Sequence, residues 1–144
     1  NCTFKNAGND AIDAMTSKVL VSNTLINEAG DKGISAGENS IVQVKNLIFV
    51  NTEIAIQSKD NTNVYVKNTD FRENNIQLDA YRKNWRYGNG GKIEVDSSSF
   101  NDTDNKIYAK NKSKITINNS VFNQSYAHLK TKKVIFKNNI IENN

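Results

Sequence analysis

Apolar residues recur along the chain in short groups that repeat about every 22 residues. Each group begins with a few polar residues and ends on a large apolar residue, which we call the anchor. The anchors are Phe4, Ile26, Phe49, Phe71, Phe100, Phe122 and Ile141. Successive anchors are separated by 22, 23, 22, 29, 22 and 19 residues. A repeat of this length is typical of solenoids, because one repeat cannot bury its apolar side without its neighbours.

Two further apolar groups accompany the anchors. A second strand is indicated seven or eight residues after each anchor, at Ile12, Ile34, Ile56, Leu78, Ile107 and Leu129. An alternating triplet follows it, at 19–21, 42–44, 64–66, 93–95, 115–117 and 134–136. Alternation with a period of two directs the outer residues of each triplet inward and the middle residue outward. The pattern predicts an all-β chain, a parallel β-helix of about six to seven coils with three short strands per coil.

Asparagine precedes most anchor strands and accounts for 25 of the 144 residues. The aligned positions are Asn1, Asn23, Asn46, Asn68, Asn119 and Asn138. Asparagine tolerates the left-handed backbone of a tight corner, and its amide can bond to the same residue on the next coil. We therefore expect an asparagine ladder at one corner. Gly8, Gly30, Gly33 and Gly37 flank the second strand, where we expect sharp turns or close backbone approach.

Charge is unevenly distributed along the chain, whose formal net charge is +4. Residues 1–105 carry 11 basic and 14 acidic side chains, whereas residues 106–144 carry 8 lysines and 1 acid. These lysines are spread over several strands, and no arginine occurs among them. A solvated face or a protected end is therefore favoured, and no specific nucleic-acid partner is expected. No apolar run approaches the roughly 20 residues of a transmembrane helix, so no transmembrane segment is expected.

The repeat resembles the right-handed parallel β-helix proteins of the pectate-lyase-like superfamily over essentially the whole chain. Segments 29–35, 55–60 and 80–88 are similar to blocks in uncharacterised bacterial surface proteins with β-helix repeats. The resemblance implies a right-handed parallel β-helix and a secreted or cell-surface location, but no activity. The pattern is already under way at Asn1 and continues to Ile141, so we expect 1–144 to be a single β-helix domain within a longer protein. Neighbouring coils, domains or oligomer partners would then cover the open ends.

The repeat is most irregular on the second strand and in the turn after it. Aligning the second strands predicts one outward column, formed by Asp13, Ser35, Gln57, Asp79, Tyr108 and Lys130. A further outward column lies two positions on, formed by Met15, Gly37, Lys59, Tyr81, Lys110 and Lys132. Adjacent coils of a β-helix lie about 4.8 Å apart, so Lys59 and Tyr81 should be neighbours.

The fourth coil carries the longest insertion, Tyr81 to Gly91, which contains two arginines and three aromatic residues. Exposed Trp and Tyr stack on sugar rings, and Arg or Lys pairs with carboxylates. The residues predicted to bind a polysaccharide or glycan are Asp13, Lys32, Lys59, Tyr81, Arg82, Trp85, Arg86 and Tyr87. The alternative is a loop folded over the sheet with Trp85 as its own small core.

Three kinds of site compete for these residues. Polyuronate lyase or epimerase chemistry needs a base, an acid and a cation for the sugar carboxylate, and its candidates are Lys59, Asp79, Tyr81 and Arg82. The only histidine, His128, lies two coils away from them. Calcium would take oxygen ligands from Asp10, Asp13, Asp31, Glu38 and Asp60. No compact calcium motif is present, so no cofactor is expected and calcium is the alternative. The third kind of site is a salt-bridged ladder on the surface, in which Asp31, Lys32, Lys59 and Asp60 pair between coils.

The sequence favours a carbohydrate-engaging module of a bacterial secreted or surface protein, without deciding whether it is an enzyme. A lyase or epimerase acting on acidic polysaccharide is one alternative, and a structural spacer or stalk is the other.

Overall fold

The computed structural model describes residues 1–142, which form an all-β parallel solenoid of about six turns. The strands are β1 (Cys2–Lys5), β2 (Ile12–Met15), β3 (Lys18–Asn27), β4 (Lys32–Gly37), β5 (Ile41–Val50), β6 (Ile54–Lys59), β7 (Asn63–Lys67), β8 (Asp70–Arg72), β9 (Ile76–Tyr81), β10 (Lys92–Asp96), β11 (Ser99–Phe100), β12 (Ile107–Ala109), β13 (Lys114–Asn118), β14 (Val121–Phe122), β15 (Val134–Lys137) and β16 (Ile140–Ile141). A 3₁₀ turn at Ala127–Leu129 follows β14. Within residues 1–142, no helix is long and apolar enough to span a membrane.

The strands form two parallel sheets. The second sheet contains the second strands β2, β4, β6, β9 and β12. The large sheet contains the other eleven strands, which come from the triplets and the anchors. In the second and third coils the triplet and the anchor strand join into the ten-residue strands β3 and β5, which bend at Asn23 and Asn46. Triplet and anchor strands therefore share one sheet, because only one left-handed residue separates them.

The register between coils confirms the predicted columns. Phe71 lies beside Phe49 in the coil before it and beside Phe100 in the coil after it. The anchor pairs continue from Phe4 to Ile141 without a shift, and the triplets align in the same way. The second strands align from Ile12 to Ile107, whereas Leu129 lies in the 3₁₀ turn. The insertion in the fourth coil therefore leaves the stacking of the core unchanged.

Left-handed residues form the corners of the coils. The predicted asparagine corner is confirmed, since Asn23, Asn46, Asn68, Asn119 and Asn138 have φ of 48–57°. Two more left-handed corners follow the anchor strand and the second strand, for example at Asn6 and Thr16. Gly8 and Gly30 lie at bends of the chain, as expected, but no glycine among residues 1–142 has a positive φ, so these bends do not use the left-handed conformation.

Close backbone approach, the other expectation, holds at Gly30 and Gly33, whereas no atom would lie within 4 Å of a Cβ at Gly8. A Cβ at Gly33 would lie 2.7 Å from the ring of Phe49. A Cβ at Gly91 would lie 2.1 Å from the carbonyl oxygen of Ser58. Both residues sit where the chain packs directly against an adjacent element, so any side chain would displace that element.

A stack of phenylalanine rings runs through the core along the solenoid axis. Phe49, Phe71, Phe100 and Phe122 are fully buried, and their ring centroids are 5.5, 4.8 and 4.5 Å apart. Tyr126 packs against Phe122 at 4.7 Å, next to the last ring of the stack. Burying rings of this size supplies much of the apolar area that stabilises the fold.

Buried hydroxyl groups bond successive coils inside the asparagine corner. The backbone N–H of Thr69 donates to Ser98 Oγ at 3.1 Å, and the N–H of Ser98 donates to Ser120 Oγ at 3.1 Å. The N–H of Ser120 donates in turn to Asn139 Oδ1 at 2.8 Å. Outside the same corner, Asn46 Nδ2 donates to Asn23 Oδ1 at 2.9 Å and Asn68 Nδ2 donates to Asn46 Oδ1 at 3.4 Å. The corner is thus bonded on both sides of the backbone.

We predict that Asn46→Ala lowers the free energy of unfolding by about 1–2 kcal/mol, because Cβ crowds the left-handed backbone and the ladder bonds are lost. Asn46→Gly should cost less, since glycine adopts this backbone freely and loses only the ladder. Urea denaturation measures both values. Asn63→Ala, at a residue without positive φ, is the control. Equal losses for Ala and Gly at position 46 would show that the backbone conformation is not what matters there.

Candidate functional site

The outer face of the second sheet carries the predicted columns in the predicted register. Ser35 pairs with Gln57, Gln57 with Asp79, and Lys59 with Tyr81. Asp13 pairs with Ser35 at the other end of the column, away from Tyr81. The structure thus brings Lys59, Asp79 and Tyr81 together and leaves Asp13 apart.

The middle of this face is buried rather than exposed, contrary to the expectation of an open outward column. Ser35, Gln57 and Asp79 are all buried, and Asp79 is only 7% exposed. Lys59 covers part of the column, because its Nζ reaches back to Ser35 Oγ on the preceding coil at 3.2 Å. Alternation of a strand gives the direction of a side chain but not what lies over it.

Gln57 and Asp79 form a buried polar pair with incomplete hydrogen bonding. Gln57 Nε2 donates to Asp79 Oδ2 at 3.0 Å. The other two acceptors of the pair, Gln57 Oε1 and Asp79 Oδ1, are buried without a hydrogen-bond partner. A buried acceptor without a donor costs about 1–3 kcal/mol, and native structures rarely keep one without a reason. Asn105 Oδ1 and Asn123 Oδ1 are also unpartnered, whereas Gln57 and Asp79 are in register on adjacent coils, so two free acceptors lie together only here among residues 1–142.

The neighbouring Asp102 shows the contrast. It is 8% exposed, almost as buried as Asp79. Its carboxylate accepts hydrogen bonds from the backbone N–H groups of Glu73 and Asn74 and from Gln77 Nε2. Asp102 therefore has the bonding of a structural carboxylate, and Asp79 does not.

Tyr81 lies beside Lys59 at the end of β9, and its pKa is raised from the ordinary 10.0. Burial is the largest cause, the charge of Asp79 adds to it, and the charge of Lys32 opposes it. The folded chain thus favours the neutral phenol. This contribution to stability is fully present below pH 10 and is lost as the pH rises through the raised pKa. At neutral pH the Tyr81 hydroxyl is a proton donor.

Lys32 is held by acidic side chains at the edge of this face. Its Nζ lies 3.4 Å from Asp10 Oδ1 and forms a closer ion pair with Asp31. Burial lowers the pKa of Lys32, but the bond to Asp31 and the charges of Asp10 and Asp31 outweigh burial and raise it. Lys32 therefore pairs with Asp31 of its own coil and with Asp10 of the preceding coil. Lys59 contacts Ser35 and Asp60 binds the inserted loop, so the predicted ion pairs between the coils of Asp31, Lys32, Lys59 and Asp60 do not form.

The acidic residues proposed as calcium ligands are dispersed. Asp10 and Asp31 contact Lys32, Asp13 lies in the first coil, and Asp60 binds the inserted loop. No group of three or more Asp, Glu, His or Cys side chains comes together in the part of the chain that the structure describes. His128 is exposed on the 3₁₀ turn of the last coil.

The inserted loop, residues 82–91, is fixed to the scaffold along its length. Asp60 Oδ1 accepts hydrogen bonds from the backbone N–H groups of Lys83 and Asn84 at 2.8 and 2.9 Å. The backbone N–H of Asn61 donates to the carbonyl oxygen of Asn89 at 3.2 Å, and the N–H of Asn89 donates to Asn61 Oδ1 at 2.9 Å. These bonds order the loop without covering its tip.

Trp85 projects from this loop and is 79% exposed, so it does not form a small core under the loop. The guanidinium of Arg86 lies 6.0 Å from the centre of the Trp85 ring. Arg82 and Tyr87 are half-buried. Burial and the charge of Glu38 raise the pKa of Tyr87. The loop therefore displays an aromatic surface with basic neighbours, next to Tyr81.

A groove on the large sheet was not predicted from the sequence. It has a volume of about 310 Å³ and lies between the triplet column of Leu20, Gln43, Tyr65 and Glu94 and the column two residues further on. Leu20 and Tyr65 are exposed on it. The middle residues of the triplets carried this signal, since apolar residues stand there at positions predicted to face outward.

We predict opposite effects for the two buried aspartates. Asp79→Asn keeps an acceptor for Gln57 and removes a buried charge, so the free energy of unfolding should rise by about 1 kcal/mol. Asp102→Asn removes charge from a fully bonded carboxylate, so the free energy of unfolding should fall by about 2 kcal/mol. Chemical denaturation at neutral pH measures both changes. A loss of stability in both variants would mean that Asp79 is also structural.

Comparison with known proteins gives no family for the chain. No protein-family model, curated protein or solved structure matches it. The parallel solenoid itself is established by the register of its coils.

Proposed function

We propose that the chain binds a glycan on the outer face of the second sheet, as a module of a bacterial secreted or surface protein. The observation that carries the proposal is the pair of unpartnered buried acceptors, Gln57 Oε1 and Asp79 Oδ1, on the strands that bear Lys59 and Tyr81. The exposed Trp85 lies on the loop that follows Tyr81. We define the glycan face by Lys59, Asp79, Tyr81 and Trp85.

Trp85 supports a ligand with a flat apolar face. An exposed indole is a large apolar area left in water, and it lies on a loop whose backbone is held by Asp60. Aromatic side chains stack on the carbon-bound hydrogens of sugar rings, and a loop that is already ordered loses little entropy on binding. Arg86 beside the ring adds a donor for sugar oxygens.

The polar groups of the face fit sugar hydroxyls. Gln57 Oε1 and Asp79 Oδ1 lack donors, and each sugar hydroxyl supplies one. Lys59 can supply a donor to a ligand oxygen by leaving Ser35. Because Lys59 lies over the column, its movement is part of opening the face to a ligand. Unpartnered buried acceptors also occur at Asn105 and Asn123, but Gln57 and Asp79 lie in register on adjacent strands, and this concentration at one place favours binding over the spacer hypothesis.

We predict that Trp85→Ala and Tyr81→Ala each weaken retention on immobilised glycans by about tenfold or more, corresponding to about 1.4 kcal/mol. Affinity electrophoresis against a panel of neutral and acidic polysaccharides measures the retention. Tyr65→Ala is the matched control, because Tyr65 is a 43% exposed tyrosine on the other sheet. Unchanged retention in both variants at positions 81 and 85 would rule out this face.

A second candidate function, a lyase or epimerase acting on acidic polysaccharide, is favoured by the proximity of Asp79 and Tyr81. They lie two residues apart on β9, one with a free carboxylate oxygen and the other with a retained proton. In a lyase reaction, Asp79 would take the C5 proton of a uronate, a C4–C5 double bond would form, and the C4–O bond would break. Tyr81 would give its proton to the leaving oxygen, while Lys59 and Arg82 balance the sugar carboxylate.

For this candidate we predict that Tyr81→Phe abolishes chain cleavage but keeps retention, because the ring remains and only the proton donor is lost. The ultraviolet absorbance of the unsaturated product measures cleavage. Absence of any product from the wild-type chain on polyuronates would reject the lyase reaction and leave binding as the function.

A further inference from the structure

Exposed lysines stand in direct register on three successive coils near the end of the solenoid. Lys92 of β10 pairs with Lys114 of β13. The N–H of Ile115 donates to the carbonyl oxygen of Lys133, which places Lys133 beside Lys114 on the next coil. All three side chains are exposed, and each precedes the inward residue that opens a triplet. We call these three residues, together with Lys112, the lysine ridge.

The ridge belongs to the last coils only. The same column in the earlier coils holds Lys18, Ile41 and Asn63, so adjacent lysines do not occur there. Lys112 extends the ridge toward the inserted loop, since its Nζ lies 3.5 Å from the carbonyl oxygen of Gly88. Lys112 has a φ of 60° and forms the corner after the second strand, so the ridge runs along an edge of the solenoid.

The ridge lysines form no ion pairs with the carboxylates that the structure describes. Ion pairs among residues 1–142 involve Lys32, Lys67, Arg72 and Lys106, and none involves a ridge lysine. Like charges directly opposite each other on neighbouring strands destabilise a sheet, and the strands are about 4.8 Å apart. An anion that lies along the ridge would remove this repulsion at every coil.

We infer that the lysine ridge binds a linear anionic polysaccharide that lies parallel to the solenoid axis, with an anionic sugar beside each coil. The spacing of the coils is comparable with the length of one sugar ring, so the charges of such a chain stay in step with the lysines. The inference rests on the proposed function in that the ligand is a glycan. It adds the charge of the glycan and a surface separate from the glycan face.

The shape and composition of the ridge favour a polysaccharide over the other polyanions. Residues 106–144 contain no arginine, which disfavours the bidentate contacts used to read base edges or to clamp phosphates. Lys92 and Lys114 begin β10 and β13, and Lys133 directly precedes β15, so the ridge is a single row of charges at the edge of the large sheet. A planar bilayer would engage a broad charged patch, whereas a linear chain matches a single row. Lysine ammonium groups suit single carboxylates or sulfates that arrive one per coil.

The test compares two triple variants with the same change in charge. Lys92→Gln/Lys114→Gln/Lys133→Gln removes the ridge, and Lys5→Gln/Lys18→Gln/Lys45→Gln removes three exposed lysines elsewhere. Both lower the formal net charge from +4 to +1. Retention is measured on immobilised heparin, polygalacturonate, neutral dextran, duplex DNA and phosphatidylglycerol vesicles over a range of salt concentrations, and far-ultraviolet circular dichroism checks that both variants are folded.

We expect the ridge variant to lose about tenfold in affinity for heparin or polygalacturonate and to show a shallower dependence on salt, while the control variant changes little. Equal losses in both variants would overturn the proposal, because net charge alone would then explain retention. Stronger retention of the wild type on DNA or vesicles than on either anionic glycan would overturn the assignment to a polysaccharide.

The glycan face and the ridge fail in different ways. Trp85→Ala should weaken retention on neutral glycans at any salt concentration and leave the salt-dependent part unchanged. The ridge variant should do the reverse. Loss of the salt-dependent part of retention in Trp85→Ala would contradict a separate ridge. Salt-dependent retention of the wild type without any retention on neutral glycans would contradict the glycan face and leave the ridge standing.

Discussion

The fold depends on each coil returning to the same backbone position after about 22 residues. Left-handed residues at the corners make this return possible, and asparagine supplies most of them at the corner before the anchor strand. Once the return is fixed, each position of the coil forms a column with the equivalent positions of the neighbouring coils. Apolar columns become the core, as in the phenylalanine stack, and amide columns become a ladder. The same alignment of equivalent positions places lysines beside lysines, where their repulsion lowers stability.

The sequence allowed the columns to be predicted because each position is defined by its neighbours in the repeat. The anchors, the triplets and the asparagine corner all have the predicted register, even across the 29-residue coil. The burial of Gln57 and Asp79 could not be predicted in the same way. It depends on how far Lys59 reaches across the preceding coil, which is a property of side-chain packing and not of alternation.

Two other features were missed for reasons of a similar kind. Glycine is the usual left-handed residue, but here asparagine, acidic and hydroxyl residues take that conformation, and the glycines serve bends and close approach without it. The lysines were treated as dispersed because they are far apart in sequence. Lys92, Lys114 and Lys133 each stand directly before a triplet in the sequence. Only the register between the strands shows that these positions are neighbours on successive coils.

The two buried aspartates show how this solenoid separates structure from recognition. Asp102 is bonded by the backbone of an adjacent coil, which stabilises the corner where it lies. Asp79 keeps a free oxygen at the centre of the face that also bears Tyr81. Polar groups held without partners are found mainly where a protein meets another molecule, because selection for stability alone would remove them.

The inserted loop has a consequence for how such a chain can change. It enters between two coils whose strands remain in register, and it is tied down by Asp60 and Asn61, residues that belong to the corner and not to the loop. Asp60 and Asn61 bond only the backbone of the loop, so their bonds do not depend on its side chains, whereas Gly90 and Gly91 are needed where the loop packs against Ser113 and Ser58. Other segments of similar length that keep these two glycines could replace the loop without disturbing the core, which makes this corner a display position for exchanging specificity on a constant scaffold.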